Sequence, residues 1–383
     1  MINNTPKKKI CFIVSVYITV DSFLKNHINE LSKYYEIYLV GNFKIEDLGQ
    51  LENLNIKSYK IIPLERKIHL INDVKSLLML MSYFKKNNFY AVHSVTPKAG
   101  LITSIAGFFL QIKNRIHIFT GQVWITKKGL LRILLIFFDW LIGHLNTLIL
   151  VDGKSQKDFL TKHKIIKKNN SFVLGEGSIA GVNTELFHPT IDTRNEIRNK
   201  LKIFSNQIVF VFLGRLNKDK GINELLFAFN KLVLDYNNAF LLLIGIDEEN
   251  LLLKISDFSN IEPNKNFLFY GKTQNPEILL QAGDVFCLPT YREGFGLSVI
   301  EASCLGLPVI CSDTYGVMDA MVENVTGLRC KVKDVDSLLN AMVILYKDES
   351  LRNTFGENGR KRVLSKFSGV YLTDKWVEFY KKI

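Results

Sequence analysis

Short, uninterrupted apolar runs recur along the chain and alternate with stretches of helical periodicity. The runs in the first half are KICFIVSV, EIYLVG, YAVHSV, RIHIFT and TLILVD, and those in the second half are IVFVFLG (208–214), AFLLLIG, FLFYG, DVFCLP and PVICSD. Continuous apolar runs are typical of parallel strands that are buried on both faces. The helical patterns between them, such as residues 22–35 and 74–86, complete a βαβ series and indicate an α/β protein with doubly wound sheets.

This series occurs twice, and a chain of 383 residues is too long for one ordinary core. A polar stretch at 187–199 separates the two series, and we predict that it is a linker. We therefore expect one Rossmann-like domain over 1–188 and a second over 189–368, with a ligand cleft at the strand ends. Residues 369–383 mix aromatic and charged side chains, which predicts a closing helix that packs back on the N-terminal domain.

Composition excludes several classes of protein. With 47% hydrophobic and 22% charged residues, the chain is globular and not disordered. Its five cysteines form no Cys-x-x-Cys pair, which favours buried, reduced thiols over a disulfide or zinc framework. The whole net charge of +12 arises from residues 1–190, which hold 25 basic and 13 acidic residues. This basic half is compatible with anionic lipid, a phosphate-bearing acceptor or simple solvation, whereas the absence of a nucleic-acid motif predicts no such partner.

Two apolar stretches raise the question of a membrane. Residues 7–20 begin with three lysines, but Asp21 follows at once and no cleavage motif appears, so a buried first strand fits better. The second stretch, 130–151, is interrupted by polar and charged residues and predicts a helix that gives way to a strand. Lys127 and Lys128 precede this helix, which therefore lies either on a membrane surface or in the core.

The segment 289–302, PTYREGFGLSVIEA, follows a buried strand and contains two glycines directly before an apolar helix. Glycines let backbone N–H groups approach a ligand, and a helix N-terminus favours negative charge, so we expect a phosphate here. Glu293 lies in the loop. Glu301 lies about two turns into the helix, either as a hydroxyl-binding carboxylate or as a surface residue of an amphipathic helix.

A second segment, 214–221, has the sequence GRLNKDKG and also follows a buried strand. Arg215 comes at the end of that strand, and Lys220 stands just before the next helix. Arginine binds phosphate through two hydrogen bonds and lysine supplies a mobile point charge. Two loops suited to phosphate in one domain predict a nucleotide-binding site at the switch point of the sheet.

In combination, GRLNKDKG and EGFGLSVIE resemble the retaining family-four glycosyltransferases of GT-B fold, in which two Rossmann-like domains face each other across a cleft. Glu293 and Glu301 match the Glu-x7-Glu motif of that family, and residues 214–221 match its Gly-Arg…Lys-Gly loop. The resemblance implies that Arg215 and Lys220 hold the donor diphosphate, Glu301 the ribose and Glu293 the donor sugar. The donor-binding set that it implies is completed by Lys272, Gly294, Phe295, Gly296 and Leu297.

The N-terminal half resembles a subgroup that extends polyprenyl-diphosphate-linked sugars in surface polysaccharide and glycan assembly. The segments concerned are VHSVTPKAGL (92–101), FTGQVW (119–124), GEGSIAGVN (175–183) and YGVMDA (315–320). Several members transfer N-acetylgalactosamine through an α-1,3 bond, so the resemblance implies UDP-N-acetylgalactosamine as donor and a lipid-linked saccharide as acceptor. The acceptor-binding residues that we expect are Lys98, Thr120, Gln122, Trp124, Lys127 and Lys128.

The chain departs from the family at one position. Many members have a histidine where Thr120 stands here, and threonine cannot act as a titrating base near neutral pH. Either His93 or His117 takes this catalytic place, or no base is needed because the leaving diphosphate accepts the acceptor proton. We favour the second alternative, in which His93 is an ordinary hydrogen-bonded core histidine.

We expect no metal and no cofactor. Residues Asp334 and Asp336 spell the Asp-x-Asp motif that binds metal in a different glycosyltransferase fold, but here they precede a helical pattern and predict an N-cap, with Asp336 as the cap. The alternatives to this activity are a nucleotide-sugar 2-epimerase, a hexosyltransferase for another sugar, or a non-catalytic binding module. The expected location is the cytoplasmic face of the cell membrane, with an anionic membrane surface as partner.

Overall fold

The computed structural model describes residues 6–65 and 69–383, except for the side chain of Lys254. The chain divides into two units, of which the first comprises Met1–Ala180 and Gly369–Ile383 and the second comprises Gly181–Ser368. Each unit has its own parallel sheet and its own buried apolar core.

A seven-stranded sheet forms the centre of the described part of the first unit. Its strands are β1 (Lys9–Ile13), β2 (Glu36–Gly41), β3 (Ser58–Ile61), β4 (Ala91–Val95), β5 (Asn114–Phe119), β6 (Leu148–Val151) and β7 (Ser171–Val173). They lie in the order β3-β2-β1-β4-β5-β6-β7, and all neighbours are parallel. Chain order therefore reverses between β1 and β4, where doubly wound sheets bind ligands.

Helices cover both faces of this sheet. They are α1 (Tyr17–Thr19), α2 (Lys25–Leu31), α3 (Ile45–Glu52), α4 (Leu70–Asn87), α5 (Pro97–Phe109), α6 (Gly129–Leu145) and α7 (Lys154–Lys162), with a π-helical segment Val20–Leu24 and 3-10 turns at Val123–Thr126 and Lys168–Asn170. Helix α5 packs between α4 and α6. The predicted helix-to-strand change within 130–151 is thus α6 followed by β6.

The second unit, all of whose backbone is described, contains a six-stranded parallel sheet. Its strands are β8 (Ile208–Leu213), β9 (Ala239–Ile244), β10 (Phe267–Gly271), β11 (Val285–Leu288), β12 (Val309–Ser312) and β13 (Gly327–Cys330), in the order β10-β9-β8-β11-β12-β13. Its helices are α8 (Ile191–Lys200), α9 (Ile222–Asp235), α10 (Pro276–Leu280), α11 (Leu297–Cys304), α12 (Val317–Ala320), α13 (Val335–Lys347) and α14 (Glu349–Lys366), with 3-10 turns at Lys218–Lys220 and Leu251–Asp257.

The structure corrects the domain boundary and the predicted linker. The boundary lies between Ala180 and Gly181 instead of after residue 188, because Phe187 packs in the second core and the N–H of Val182 bonds the carbonyl of Phe367 at 2.8 Å. The polar stretch 187–199 is not a linker, since most of it forms α8. The stretch is polar because charged side chains attach α8 to the sheet.

Helix α8 is fixed to the start of β11 by a carboxylate. Both arginines of the helix, Arg194 and Arg198, donate to Asp284 at 2.5 Å, and the N–H of Val209 donates to it at 2.7 Å. Arg198 is buried, so its charge depends on this partner. The acidic residue therefore joins a helix that shows few apolar positions to the sheet.

The last helix, α15 (Gly369–Lys382), returns to the first unit. Trp376 stacks on the rings of His27 and His93, with centroid distances of 4.7 and 5.2 Å, and its indole N–H donates to the carbonyl of Ile179 at 3.1 Å. The hydroxyl of Tyr380 lies 2.5 Å from Nδ1 of His93. Aromatic stacking together with satisfied polar groups makes this helix part of the first core.

Helix α6 exposes an apolar stripe instead of burying it. The exposed residues recur at helical spacing, at Leu130, Ile133, Leu134, Phe137 and Trp140. The opposite side of α6 faces the core through Ile142 and Gly143. No helix in the part of the chain that the structure describes is both long and apolar enough to cross a membrane.

Candidate functional site

The two loops that the sequence singles out lie side by side in the second unit. Loop A (Gly214–Gly221) follows β8, and loop B (Pro289–Gly296) follows β11. Strands β8 and β11 are neighbours although they are far apart in the sequence, so both loops emerge at the point where chain order reverses. This is where doubly wound sheets bind their ligands.

Glycine allows the loops to pack this closely. Gly221 has a φ of +69°, and a Cβ at this position would collide with the carbonyl of Pro289 in loop B. Gly316, which follows β12, has a φ of +82°, and its Cβ would collide with the carbonyls of Glu293 and Gly294. Larger residues would therefore separate the loops as well as strain the backbone.

The structure brings two of the predicted residues into direct contact. The ammonium of Lys220 forms an ion pair with the carboxylate of Glu293, and both side chains are largely shielded from solvent. Arg215 is exposed, and its Nη1 donates to both carboxylate oxygens of Glu248 at 3.1 and 3.2 Å. Asn217 donates to the same carboxylate at 2.9 Å. Sequence analysis missed Glu248 because it belongs to no motif and meets Arg215 only across neighbouring strands.

Loop B leads directly into α11. The N-cap of α11 is Gly296, which has a φ of +91° and no side chain that could cap the helix. The cap residue therefore leaves the first N–H groups of α11 to other acceptors. Gly294 and Phe295 are buried, and the ring of Phe295 packs on Phe367 at 5.3 Å, so these residues offer a ligand their backbone only. Leu297 is partly buried. The combination of backbone donors and nearby cations suits a phosphate.

Glu301 lies on α11 and is partly buried. Burial and the nearby carboxylate of Glu277 raise the pKa of Glu301 to about 7. A carboxyl group with this pKa gains from hydrogen-bond donors that stabilise its charged form, and hydroxyl groups supply them. Glu277, at the start of α10, carried no signal in the sequence. Lys272 is exposed after β10 and is separated from β8 by β9.

Half of the six expected acceptor residues have side chains held in structural contacts within the first unit. The indole N–H of Trp124 is buried and donates to Asp139 at 2.8 Å, and burial raises the pKa of Asp139 to about 7. Gln122 is also buried and donates to the carbonyl of Thr120 at 2.7 Å. These polar atoms hold the segment after β5 in place, and contact of Trp124 or Gln122 with an acceptor stays a prediction.

The remaining acceptor candidates are three lysines and one threonine. Lys98, in the first turn of α5, bonds both carboxylate oxygens of Asp73 on α4 at 2.6 Å and is mostly buried. Lys127 and Lys128 are exposed directly before α6. Thr120 is partly buried after β5.

Both candidate histidines lie inside the first unit. His93 and His117 are both buried, and burial lowers the pKa of His117 to about 3 and that of His93 well below its ordinary value. Nδ1 of His117 lies 2.9 Å from the hydroxyl of Ser94, and its ring fills the space that Gly100 leaves in α5. Neither ring reaches solvent, so burial disfavours a catalytic role for either histidine, and that role stays a prediction.

The Asp-x-Asp segment caps a helix, but at a different residue from the one expected. Asp334 is the N-cap of α13, and its carboxylate accepts from the N–H of Ser337 at 2.8 Å. Asp336 lies in the first turn and pairs with Lys231 at 2.8 Å. Among the described residues, no group of three or more histidine, cysteine, aspartate or glutamate side chains is placed to hold a metal ion.

Comparison with known proteins agrees with this geometry. Residues 193–362 match the family "Glycosyl transferases group 1". The chain is 34% identical over 349 residues to the capsular polysaccharide biosynthesis glycosyltransferase CapM of Staphylococcus aureus, covering 91% of this chain and 90% of CapM. It is 27% identical over 332 residues to an Escherichia coli UDP-Gal:alpha-D-GlcNAc-diphosphoundecaprenol alpha-1,3-galactosyltransferase, covering 85% and 84% of the two chains.

A solved structure agrees in fold. Anabaena Alr3699/HepE, crystallised in complex with UDP, has a TM-score of 0.80 and 15% identity, covering 98% of this chain and 100% of that one. The predicted fold, α/β with two Rossmann-like domains of GT-B type, is thereby confirmed. The epimerase and the non-catalytic module are not retained. With loops A and B at the switch point and a close relative along most of its length, this chain belongs to the group 1 glycosyltransferases.

Proposed function

We propose that this protein is a retaining, metal-independent transferase that moves N-acetylgalactosamine from UDP through an α-1,3 bond to a polyprenyl-diphosphate-linked saccharide. The observation that carries the proposal is the contact of Lys220 with Glu293, which joins loop A, the loop that also holds Arg215, to loop B at the switch point just before α11. The names of the two relatives support a UDP-sugar donor, a lipid-linked acceptor and a role in polysaccharide assembly. Galactose is the second candidate for the sugar, because the Escherichia coli relative is named for it.

In the second unit, different residues would bind the diphosphate, the sugar and the ribose of the donor. Arg215, Lys220 and the first N–H groups of α11 would hold the diphosphate and stabilise the charge that grows as the sugar leaves. Glu293 would bind the sugar and Glu301 the ribose hydroxyls. As the bond from the anomeric carbon to the diphosphate breaks, the acceptor oxygen bonds that carbon on the same face and passes its proton to the departing diphosphate. Buried His93 and His117 have no part in this step.

Transfer can be tested with purified protein, a synthetic polyprenyl-diphosphate-linked saccharide and a panel of UDP-sugars. We expect UDP release that depends on acceptor, and an α-linked product by NMR. Arg215→Ala and Lys220→Ala should each lower kcat by about 100-fold, because they remove charge stabilisation in the transition state. Lys231→Ala is the matched control, since Lys231 is an exposed lysine of the same unit that pairs with Asp336. Normal specific activity of both site variants would refute the assignment.

We propose further that the first unit docks on the anionic, cytoplasmic face of the cell membrane, where the acceptor resides. Lys127 and Lys128 are exposed just before the apolar stripe of α6. Exposed apolar side chains beside basic residues are typical of helices that lie in a membrane interface. The excess of positive charge in residues 1–190 acts in the same direction, since each basic residue near an anionic surface contributes roughly 1 kcal/mol.

Liposome flotation tests this docking. The protein should float with anionic vesicles and dissociate as salt rises, because screening weakens the attraction. Joint replacement Lys127→Glu and Lys128→Glu should abolish flotation and leave UDP affinity unchanged. The matched control is Lys167→Glu with Lys168→Glu, an exposed lysine pair of the first unit before β7. Equal loss in both double variants would mean that net charge alone determines binding, and binding to neither vesicle type would refute the docking.

A further inference from the structure

Loops A and B are joined by a row of contacts that none of the motif residues makes. The backbone carbonyl of Asp219 accepts from the N–H of Tyr291 at 2.7 Å and from the hydroxyl of Thr290 at 3.0 Å. Its carboxylate accepts from Nε of Arg292 at 2.9 Å, in an ion pair that is largely shielded from solvent. One residue of loop A thus bonds three successive residues of loop B.

A second anchor comes from the helix that follows loop A. The hydroxyl of Tyr291 donates to the carboxylate of Glu224, in the first turn of α9, at 2.6 Å. Lys333, which follows β13, places its ammonium 4.7 Å from the centre of the Tyr291 ring. Tyr291 is therefore held from both sides, by a hydrogen bond to an anion and by a cation–π contact.

These contacts lie directly before Glu293 in the sequence. Positions 290, 291 and 292 are bonded to Asp219 or Glu224, and the next residue, Glu293, pairs with Lys220. We propose that Asp219 and Tyr291 are positioning residues that fix the carboxylate of Glu293 relative to the cations of loop A. The inference rests on the proposed function and assigns a role to two residues outside the Glu-x7-Glu pair and the two phosphate-binding cations.

Binding of UDP and placement of the sugar would depend on different contacts, whereas a general loss of structure would weaken both. UDP alone would be held by Arg215, Lys220, Glu301 and the first N–H groups of α11. Of these, Arg215 is supported by β8 and Glu248, and Glu301 by α11. The sugar would be held by Glu293, whose place depends on residues 290–292. Loosening this connection should therefore misplace the sugar and leave the nucleotide bound, and a displacement near 1 Å lowers turnover by about 100-fold.

The variants Tyr291→Phe and Asp219→Ala test this role, with Tyr270→Phe and Asp336→Ala as matched controls on β10 and α13. We expect both site variants to lower kcat by about 10- to 100-fold and to keep the Kd for UDP within about twofold. The share of UDP-sugar lost to water should rise, because a misplaced sugar meets its acceptor less often. Amide exchange should increase over 289–294 and stay unchanged in β8 and β11.

Two results from the kinetic and binding measurements would overturn the inference. One is unchanged kcat in both site variants. The other is a fall in UDP affinity that parallels the fall in kcat, since a loop that only stabilises the domain would behave in this way. If the wild-type protein transfers no sugar from any UDP-sugar, the proposed function fails, and amide exchange then decides the positioning role alone. Unchanged exchange over 289–294 in Tyr291→Phe would overturn it.

Discussion

Replacing Glu301 with glutamine should weaken UDP binding while making the free protein more stable at alkaline pH. The carboxyl group of Glu301 is partly buried on α11, near Glu277, and its pKa is raised from 4.5 to about 7. Its charge is therefore disfavoured while the site is empty. Ribose hydroxyls, its proposed partners, would donate to the charged form and stabilise it.

The magnitudes follow from the two pKa values. In the unfolded chain Glu301 ionises near 4.5 and in the folded protein near 7, so the folded state loses stability as the pH rises through this window. The full cost, reached above pH 7, is at most roughly 3 kcal/mol. Glu301→Gln should remove this cost at pH 8 and change little at pH 4. Loss of the hydrogen bonds to a carboxylate costs about 1.5–3 kcal/mol, or about a 10- to 150-fold rise in the Kd for UDP.

Calorimetry at pH 6, 7 and 8 measures the binding, and urea unfolding measures the stability of the free protein. Wild-type affinity should increase with pH and binding should release protons, because the donor selects the ionised carboxylate. The glutamine variant should show neither effect. Glu277→Gln is the informative control, since loss of a neighbouring negative charge should move the midpoint to lower pH. Equal UDP affinity of wild type and Glu301→Gln would falsify the role of Glu301.

Three further outcomes are expected. Activity should survive excess EDTA, because cations of the protein and a helix terminus are proposed to do the work of a metal; loss that magnesium or manganese restores would contradict this. The free energy of unfolding should fall as the pH drops below 6.5, by about 2 kcal/mol at pH 5 for each of His27 and His117, and His93 should act in the same direction, because burial lowers the pKa values of all three; a flat urea profile between pH 7 and 5 would be inconsistent with their burial. Asp284→Ala should destabilise the second unit by about 3–5 kcal/mol, because it leaves a buried arginine without its partner; a melting temperature within a degree of wild type would show that the pair is dispensable.

The sequence predicted the central strands and the edge strand β10, and it missed the other three edge strands. Strands β1, β4, β8 and β11 are continuous apolar runs because they are buried on both faces. The strands β3, β7 and β13 lie at edges, and all four residues of β3 are exposed. An edge strand is held by backbone hydrogen bonds on one side, and these bonds leave no pattern in the side chains.

The residues of the candidate site were also predictable only in part. Loop positions were predictable because glycines and basic residues after a strand have a local physical meaning, whereas Glu248 and Glu277 reach the site only through the folding of distant segments. The surroundings of Trp124 and His117 were not predictable for a different reason. Each has a polar atom and stands near a strand end, but a buried partner satisfies that atom within the core. A sequence alone does not show which polar atoms are already paired.

The return of α15 to the first unit has a consequence for how the protein is made. Trp376, Val377, Phe379 and Tyr380 complete a core whose other buried members lie before Ala180, and the hydroxyl of Tyr90 donates to the carbonyl of Ile383. During synthesis, these residues leave the ribosome only after Gly181–Ser368. The half of the molecule that is translated first would therefore be the last to finish folding, whereas the later half is continuous in sequence. Nascent chains halted before residue 369 should expose the unfinished core to chaperones and proteases.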